Sequence, residues 1–342
     1  MKSLIDNLVK LVTSSLLNCS NDGVPSSEHF LSNLTPVYII TLAVCSIVCM
    51  GTIAMGILQI MYTMFYVGHQ DRRLFIAYLA STAPFVSALS LCAMYMPRVW
   101  FLSHLISFLY FSVALWMIIC LLMQIFEGHN SLVNKMHERD IEIDISTPPF
   151  CCVFPCLPKV QLEERKIRAC EWLVLQCPCV RLLATLISLF IYFEYGNDGM
   201  IPLKVLDFIA VPSVLLGIFG MHILVTTVSN LDELLSYRYI VVFRLLDLFF
   251  MFFGLQQPVF DFLGRYGAWG CGSVLPYLET AFWWKNAFTV IEAFCVTLLA
   301  SLLIQPKRSA LFDKHPSMRS MDSSMHTVEV AISDDESKET TA

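Results

Sequence analysis

The sequence predicts an all-α membrane protein, a bundle of seven transmembrane helices with the N-terminus outside and the C-terminus in the cytoplasm. Three observations carry that prediction: seven long apolar stretches, a composition poor in charge, and a one-sided distribution of Lys and Arg. The stretches run at about residues 37–66, 74–96, 99–126, 172–195, 205–229, 239–263 and 281–304, against roughly 20 residues needed to cross a hydrocarbon core as helix. They read as near-continuous apolar runs without the alternation of a membrane barrel, and lipid offers no partner to unpaired backbone groups.

Of the 342 residues, 56% are hydrophobic and 15% charged, well below the roughly 25% charged residues of a soluble domain. The net charge of −6 does not describe an acidic surface, because Asp334, Asp335, Glu336 and Glu339 in the tail supply much of it. A nucleic-acid partner has no basic patch to rest on; the partners implied are membrane lipids.

Orientation follows from the cations. With the N-terminus outside, the inside connectors and tail hold Arg72, Arg73, Lys135, Arg139, Lys159, Arg165, Lys166, Arg168, Arg238, Lys307, Arg308, Lys314 and Arg319. The outside segments hold Lys2, Lys10, Arg98, Lys204 and Arg265. An excess of Lys and Arg on the cytoplasmic side is the expected bias. The glycosylation sequons at Asn18 and Asn33 both fall in the outside segment 1–36, with Asn18 farther from the first span. No run of the first 30 residues suits a cleaved signal peptide. Leu4, Leu8, Leu11 and Val12 recur at helical spacing, which fits a short amphipathic helix on the outer surface as well as an unstructured leader.

Span 1 places Cys45, Cys49, Thr52, Gly56, Gln59 and Thr63 on one face. Such a stripe lets another helix approach closely, within the bundle in preference to a separate subunit. Span 4 is the least regular, with fewer apolar residues between Arg181 and Glu194 than the roughly 17 of a minimal span. Either it begins nearer Trp172 and passes through Cys177-Pro178-Cys179, or Pro178 starts it; in both cases Pro178 bends or begins the helix.

Ionisable groups inside spans point to function, because each costs at least ~2.5 kcal/mol at the bilayer centre unless paired or wetted. Span 5 carries Pro212, Gly217 and Gly220, which loosen its backbone, and then His222. Span 6 carries Arg244 and Asp247 three apart on one face, where Asp247 neutralises Arg244, followed by Gln257 and Asp261. Span 7 carries Lys285, Thr289 and Glu292 on one face beside Trp283 and Trp284. With Tyr110 in span 3, the candidate solute-contacting residues are Tyr110, His222, Arg244, Gln257 and Glu292. Arg244 is the natural partner of an anionic head, and Glu292 suits gating or helix contact.

Residues 127–171 form the one long connector, a Cys- and Pro-rich inside loop containing Cys151, Cys152 and Cys156. Adjacent thiols fit zinc poorly and a reducing compartment disfavours disulfides, so acylation of these three cysteines is the favoured reading, over free thiols against lipid. Cys19 and Cys271 both lie outside; nothing in the sequence shows that they pair. The tail from 305 to 342 is polar and Ser-rich and is expected to be disordered.

Several local strings resemble those of the organic solute transporter alpha subunits. They are Ser81-Thr82-Ala83-Pro84 with Val86-Ser87, Pro97-Arg98, Ser107-Phe108 with Tyr110, Glu127-Gly128, the Cys151 to Pro158 loop, Gln176 with Arg181, and Leu255-Gln256-Gln257-Pro258. The resemblance covers roughly residues 35–305; the chain departs from it in a shorter Cys cluster and in the acidic Asp247. It implies a seven-span plasma membrane protein moving steroid conjugates and other amphipathic organic solutes by facilitated, bidirectional transport, together with a separate single-span beta subunit.

A receptor, a membrane scaffold or trafficking factor, and an enzyme are the competing classes. Span 3 ends Gln124-Ile125-Phe126-Glu127-Gly128 without the Asp/Glu-Arg-Tyr of a seven-helix receptor, and span 7 lacks Asn-Pro-x-x-Tyr. No metal-ligand spacing, phosphate loop or nucleophile-base ordering supports catalysis or a cofactor. Scaffold and transporter are not separated by residue patterns alone.

Overall fold

The computed structural model describes residues 24–139, 143, 147, 163–196, 200–229, 231, 233–269 and 274–316, the side chains of 200, 201 and 233 excepted. Seven long helices cross the apolar layer: α1 (Pro36–Tyr66), α2 (Gln70–Tyr95), α3 (Trp100–Ile125), α4 (Glu164–Tyr195), α5 (Met200–Val228), α6 (Tyr239–Tyr266) and α7 (Tyr277–Leu303). Short helices at Ser27–Ser32, His129–Glu138 and Glu233–Tyr237 lie outside the spans. The leader to Val12, Asn18, Cys19, Cys271 and the thiols Cys151, Cys152 and Cys156 lie outside the described residues.

An odd number of spans puts the two ends of the bundle on opposite faces, here called the N-terminal and C-terminal faces. α1 packs on α2 and α7, α2 also on α3 and α7, α6 on α7, α3 on α4, and α4 on α5. Two groups result, α1-α2-α7-α6 and α3-α4-α5, joined along α2 and α3. Between them runs an aromatic seam in which Phe108 and Phe111 of α3 meet Phe250 and Phe253 of α6, with ring centroids 5.1 to 5.9 Å apart.

Helix approach is set by small residues. Cys45, Cys49, Thr52, Gly56 and Thr63 of α1 are buried inside the bundle. A Cβ on Gly56 would fall 2.4 Å from Pro84 Cγ of α2, so only glycine fits there. Gly217 and Gly220 are likewise packing surfaces for α4: a Cβ on either would lie 2.9 Å from Cys177 Cβ or Cys170 O. They set a helix contact, whereas the sequence suggests only a loosened backbone.

α4 resolves the ambiguity of span 4. It is a continuous helix of 32 residues that begins at Glu164 and carries Pro178 in its interior. The added turns precede the apolar run and carry exposed charges such as Arg168, which pairs with Glu164 at 2.5 Å. Hydropathy alone cannot see a helix that continues past the hydrocarbon.

The first part of the segment expected to be disordered is folded. Residues 306–315 turn back beneath the bundle and bury Ser309, Leu311 and Phe312 at its C-terminal face.

Candidate functional site

A cavity of about 310 Å³ opens in the C-terminal half of the bundle, at the lower bound of the roughly 300–1,000 Å³ typical of small-molecule sites. Its walls come from α1, α2, α6 and α7 and from Leu121 of α3, with Met55, Leu58, Ile76, Leu79, Leu246, Phe249 and Val296 prominent, and Leu311 and Phe312 form its floor. The Thr, Gln and Ser side chains in the lining spend their protons on the protein itself. Thr63, Thr82 and Thr297 donate to carbonyls one turn back, at 2.7 to 3.1 Å. Gln59 Nε2 donates across the α1–α7 contact to Thr297 O (3.1 Å) and Ser301 Oγ (2.7 Å). What remains toward the void is a greasy surface, suited to a hydrocarbon body.

Toward the N-terminal face, α3, α4, α5, α6 and α7 bring a line of polar side chains together. Arg181 Nη1 donates to Asp207 Oδ1 at 2.6 Å, and the Arg181 guanidinium lies 4.5 Å from the centroid of the Phe108 ring. His104 Nε2 stands 3.8 Å from Asp207 Oδ2. On its other side, His104 Nδ1 is 3.2 Å from Lys285 Nζ, and Lys285 also donates to Gln257 Oε1 at 2.8 Å. An ammonium only donates, so His104 accepts at Nδ1 and carries its ring proton on Nε2, facing Asp207. Thr289 Oγ1 donates to Gln256 Oε1 at 3.2 Å, and Gln256 Nε2 donates to Glu292.

Two cations, Arg181 and Lys285, stand with two carboxylates, Asp207 and Glu292, in this line, but neither carboxylate is hydrogen-bonded to Lys285. Lys285 is 2% exposed, and its hydrogen-bond partners among the described residues are the neutral Gln257 and His104, with the Phe253 ring 4.5 Å away. Arg181, 4% exposed, keeps Nε and Nη2 without partners among the described residues. A buried cation whose donors are not met by a carboxylate is a place where an anion gains electrostatic energy in a low-dielectric setting. Lys285 and Val296 are eleven residues apart on α7, so the ammonium lies about 16 Å along the helix from the cavity wall. Lys285, Thr289, Glu292 and Val296 share one face of that helix.

The residues singled out from the sequence fall in different places. Gln257 and Glu292 join the polar line between α6 and α7. Tyr110 packs between α2 and α3, stacked on Tyr78 and Phe85 with centroids at 4.4 Å, its hydroxyl 2.6 Å from Ser81 Oγ. His222 is buried and meets Asp247 Oδ1 at 3.2 Å across α5 and α6. Asp247 is therefore engaged by the neighbouring helix, whereas helical spacing suggests Arg244 as its partner. Arg244 is exposed, with its guanidinium carbon 5.5 Å from the Phe243 ring centroid. Asn33 caps the helix Ser27–Ser32, where its Nδ2, the atom that would carry a glycan, donates to His29 O at 2.9 Å.

His104 and Asp207 are absent from the residues singled out from the sequence, and Arg181 appears there only as the boundary of an apolar run and in a local string. Each is an ionisable group within an apolar run, which is the signal that marks it. Their significance lies in pairings across 26 and 103 positions of chain, which no local spacing expresses.

Comparison with known proteins agrees with this architecture. The family model of the organic solute transporter Ostalpha matches residues 41–307. Organic solute transporter alpha-like protein 2 of Caenorhabditis elegans is 64% identical over 94% of this chain and 95% of its own length. Organic solute transporter alpha-like protein 3 of the same organism is 32% identical over 88% of this chain and 87% of its own. Organic solute transporter subunit alpha of Danio rerio is 21% identical over 67% and 70%. No solved structure matches the chain. A family match over most of the spans, together with two relatives that are similar almost end to end, makes this multi-pass membrane protein a member of the organic solute transporter alpha family.

Proposed function

We propose that the protein carries amphipathic organic solutes with an anionic head, steroid conjugates among them, across the plasma membrane by facilitated, bidirectional transport. The observation that carries this reading is the pairing of an apolar cavity with Lys285, a buried cation hydrogen-bonded to no carboxylate among the described residues, on the same face of α7. A sterol-like body needs apolar walls, and one anionic head needs one or two donors. Lys285 supplies the nearest buried positive charge, and the unfilled donors of Arg181 lie beyond it in the same polar line. Gln257 shares the Lys285 ammonium, so it positions that charge. Glu292, held by Gln256, sits between head and cavity and suits a gating role.

Orientation belongs to the same proposal, with the N-terminus outside, glycan on Asn18 or Asn33, and Cys151, Cys152 and Cys156 acylated on the cytoplasmic side. The distribution of Lys and Arg supports it. The related protein of Danio rerio is named a subunit alpha, which supports a single-span beta subunit as partner here too.

Uptake and efflux of a labelled steroid sulfate by vesicles containing the protein, with and without a co-expressed beta subunit, test the proposal. Saturable flux in both directions that depends on this chain is expected. Flux indistinguishable from protein-free vesicles under both conditions, with the chain present and folded, rejects transport and favours a scaffold role.

A further inference from the structure

The segment that follows α7 is tied to two connectors of the C-terminal face and also forms the floor of the cavity. Ala310 N donates to Ser236 O at 2.9 Å, and Ser309 Oγ donates to Tyr237 O at 2.9 Å, fixing the segment to the α5–α6 connector. On the other side, Lys314 N donates to Tyr66 O at 3.0 Å and Gly68 N donates to Asp313 Oδ1 at 2.6 Å, fixing it to the α1–α2 connector. Leu311 and Phe312, 1% and 4% exposed, are the residues between these anchors, and both line the void.

Two properties make this a removable closure. Its anchors are four hydrogen bonds, two to each connector; the three neutral ones are worth only about 0.5–1.5 kcal/mol net each and the one to the Asp313 carboxylate about 1.5–3, because water replaces them on release. Asp313, at the α1–α2 side, is exposed, so solvent reaches that anchor directly. The segment also begins at Ile304, where the backbone leaves helical geometry, and at Pro306, which cannot extend α7. A pivot therefore lies next to the floor residues.

We propose that residues 306–315 are a gate, a strap that closes the cavity to the C-terminal face and swings from its anchors when solute passes. This rests on the cavity being the solute's site. Opening the strap would expose Leu311 and Phe312 and break the α1–α2 anchor first, because that anchor stands farthest from the pivot. Closing it restores a cavity sealed from that side.

The test locks the strap covalently. Ser236→Cys with Ala310→Cys places two thiols where the backbones are joined by a hydrogen bond, and copper phenanthroline oxidises the pair to a disulfide. A reporter, Ala300→Cys in the cavity wall, is read by mass spectrometry after a water-soluble maleimide is applied from the C-terminal face. The reduced protein is expected to label at Ala300→Cys, and the reduced cysteine pair without that reporter is expected to transport. Oxidation should abolish both, and thiol reductant should restore both, which excludes misfolding of the variant. Asp313→Ala should speed labelling without any cross-link.

Labelling at the same rate in locked and reduced protein overturns the gate whatever the transport result. Labelling that depends on the strap, in a protein that moves no steroid sulfate when reduced, supports the gate and rejects the solute reading.

Discussion

Lys285 of α7 and Gln257 of α6 are joined by a 2.8 Å hydrogen bond in which a buried ammonium is solvated by an amide oxygen instead of a carboxylate. The amide lowers the cost of burying the charge without cancelling it. An anion arriving along the seam therefore meets an ammonium that no carboxylate holds directly, unlike that of a Lys–Glu pair at the same place. That difference separates a solute contact from a structural ion pair.

The Arg181–Asp207 pair should behave as structure. Removing one partner of a buried pair leaves a charge uncompensated, so Arg181→Gln is expected to destabilise the bundle by about 3–5 kcal/mol. The double variant Arg181→Gln, Asp207→Asn should recover part of that loss, because both charges leave together. Thermal unfolding of the purified protein in detergent measures each step. A double variant no more stable than Arg181→Gln alone would show that the two residues do not act as a pair.

Gly56 should tolerate no side chain while Pro84 faces it, since the added Cβ would stand 2.4 Å from Pro84 Cγ. Gly56→Ala is expected to cost about 1–3 kcal/mol by overpacking. Pro84→Ala in the same chain should relieve it, again by thermal unfolding. Additive losses would mean that the α1–α2 contact is not limited by this pair.

The seven spans were legible because apolar run length is a one-dimensional property, and each run maps onto one helix. Their ends were less so. α4 begins at Glu164 and α2 at Gln70, each ahead of its apolar run, because helix continues into the headgroup region where polar side chains stay hydrated. Pairings across the bundle were illegible for a different reason. Arg244 and Asp247 share a helix face, yet Asp247 meets His222 from α5, since a neighbouring helix offers a partner that spacing along one helix cannot reveal. The strap is illegible because hydrogen bonds to backbone groups and only two buried apolar side chains, Leu311 and Phe312, hold it, and those leave no hydrophobic period.

Topology is open to a direct check. Glycosidase should shift the mobility of the wild type and not of Asn18→Gln if Asn18 is the main acceptor on an outside N-terminus. A mobility shift retained by Asn18→Gln and lost only with Asn33→Gln would move the glycan to Asn33. An unglycosylated N-terminus accessible from the cytosol would invert the bundle.

Arg244 and Lys285 make separable predictions. Arg244 is exposed at the edge of α6, so a role there would be to draw an anion toward the protein, through surface charge that salt screens. Arg244→Gln is then expected to reduce steroid sulfate uptake at low ionic strength and to have little effect at about 1 M salt, where the screening length falls to about 3 Å. A loss independent of salt would place Arg244 in direct contact with the solute.

Most direct is the charge selectivity of Lys285→Gln, measured as vesicle uptake of a steroid sulfate and of the corresponding neutral steroid at equal amounts of folded protein. Glutamine keeps a polar group beside Gln257 and removes the positive charge. The anionic solute should lose at least about tenfold in uptake efficiency, equivalent to about 1.4 kcal/mol, while the neutral steroid is carried as by the wild type. Equal loss for both solutes, or no loss for either, would contradict the assignment of the anionic head to Lys285.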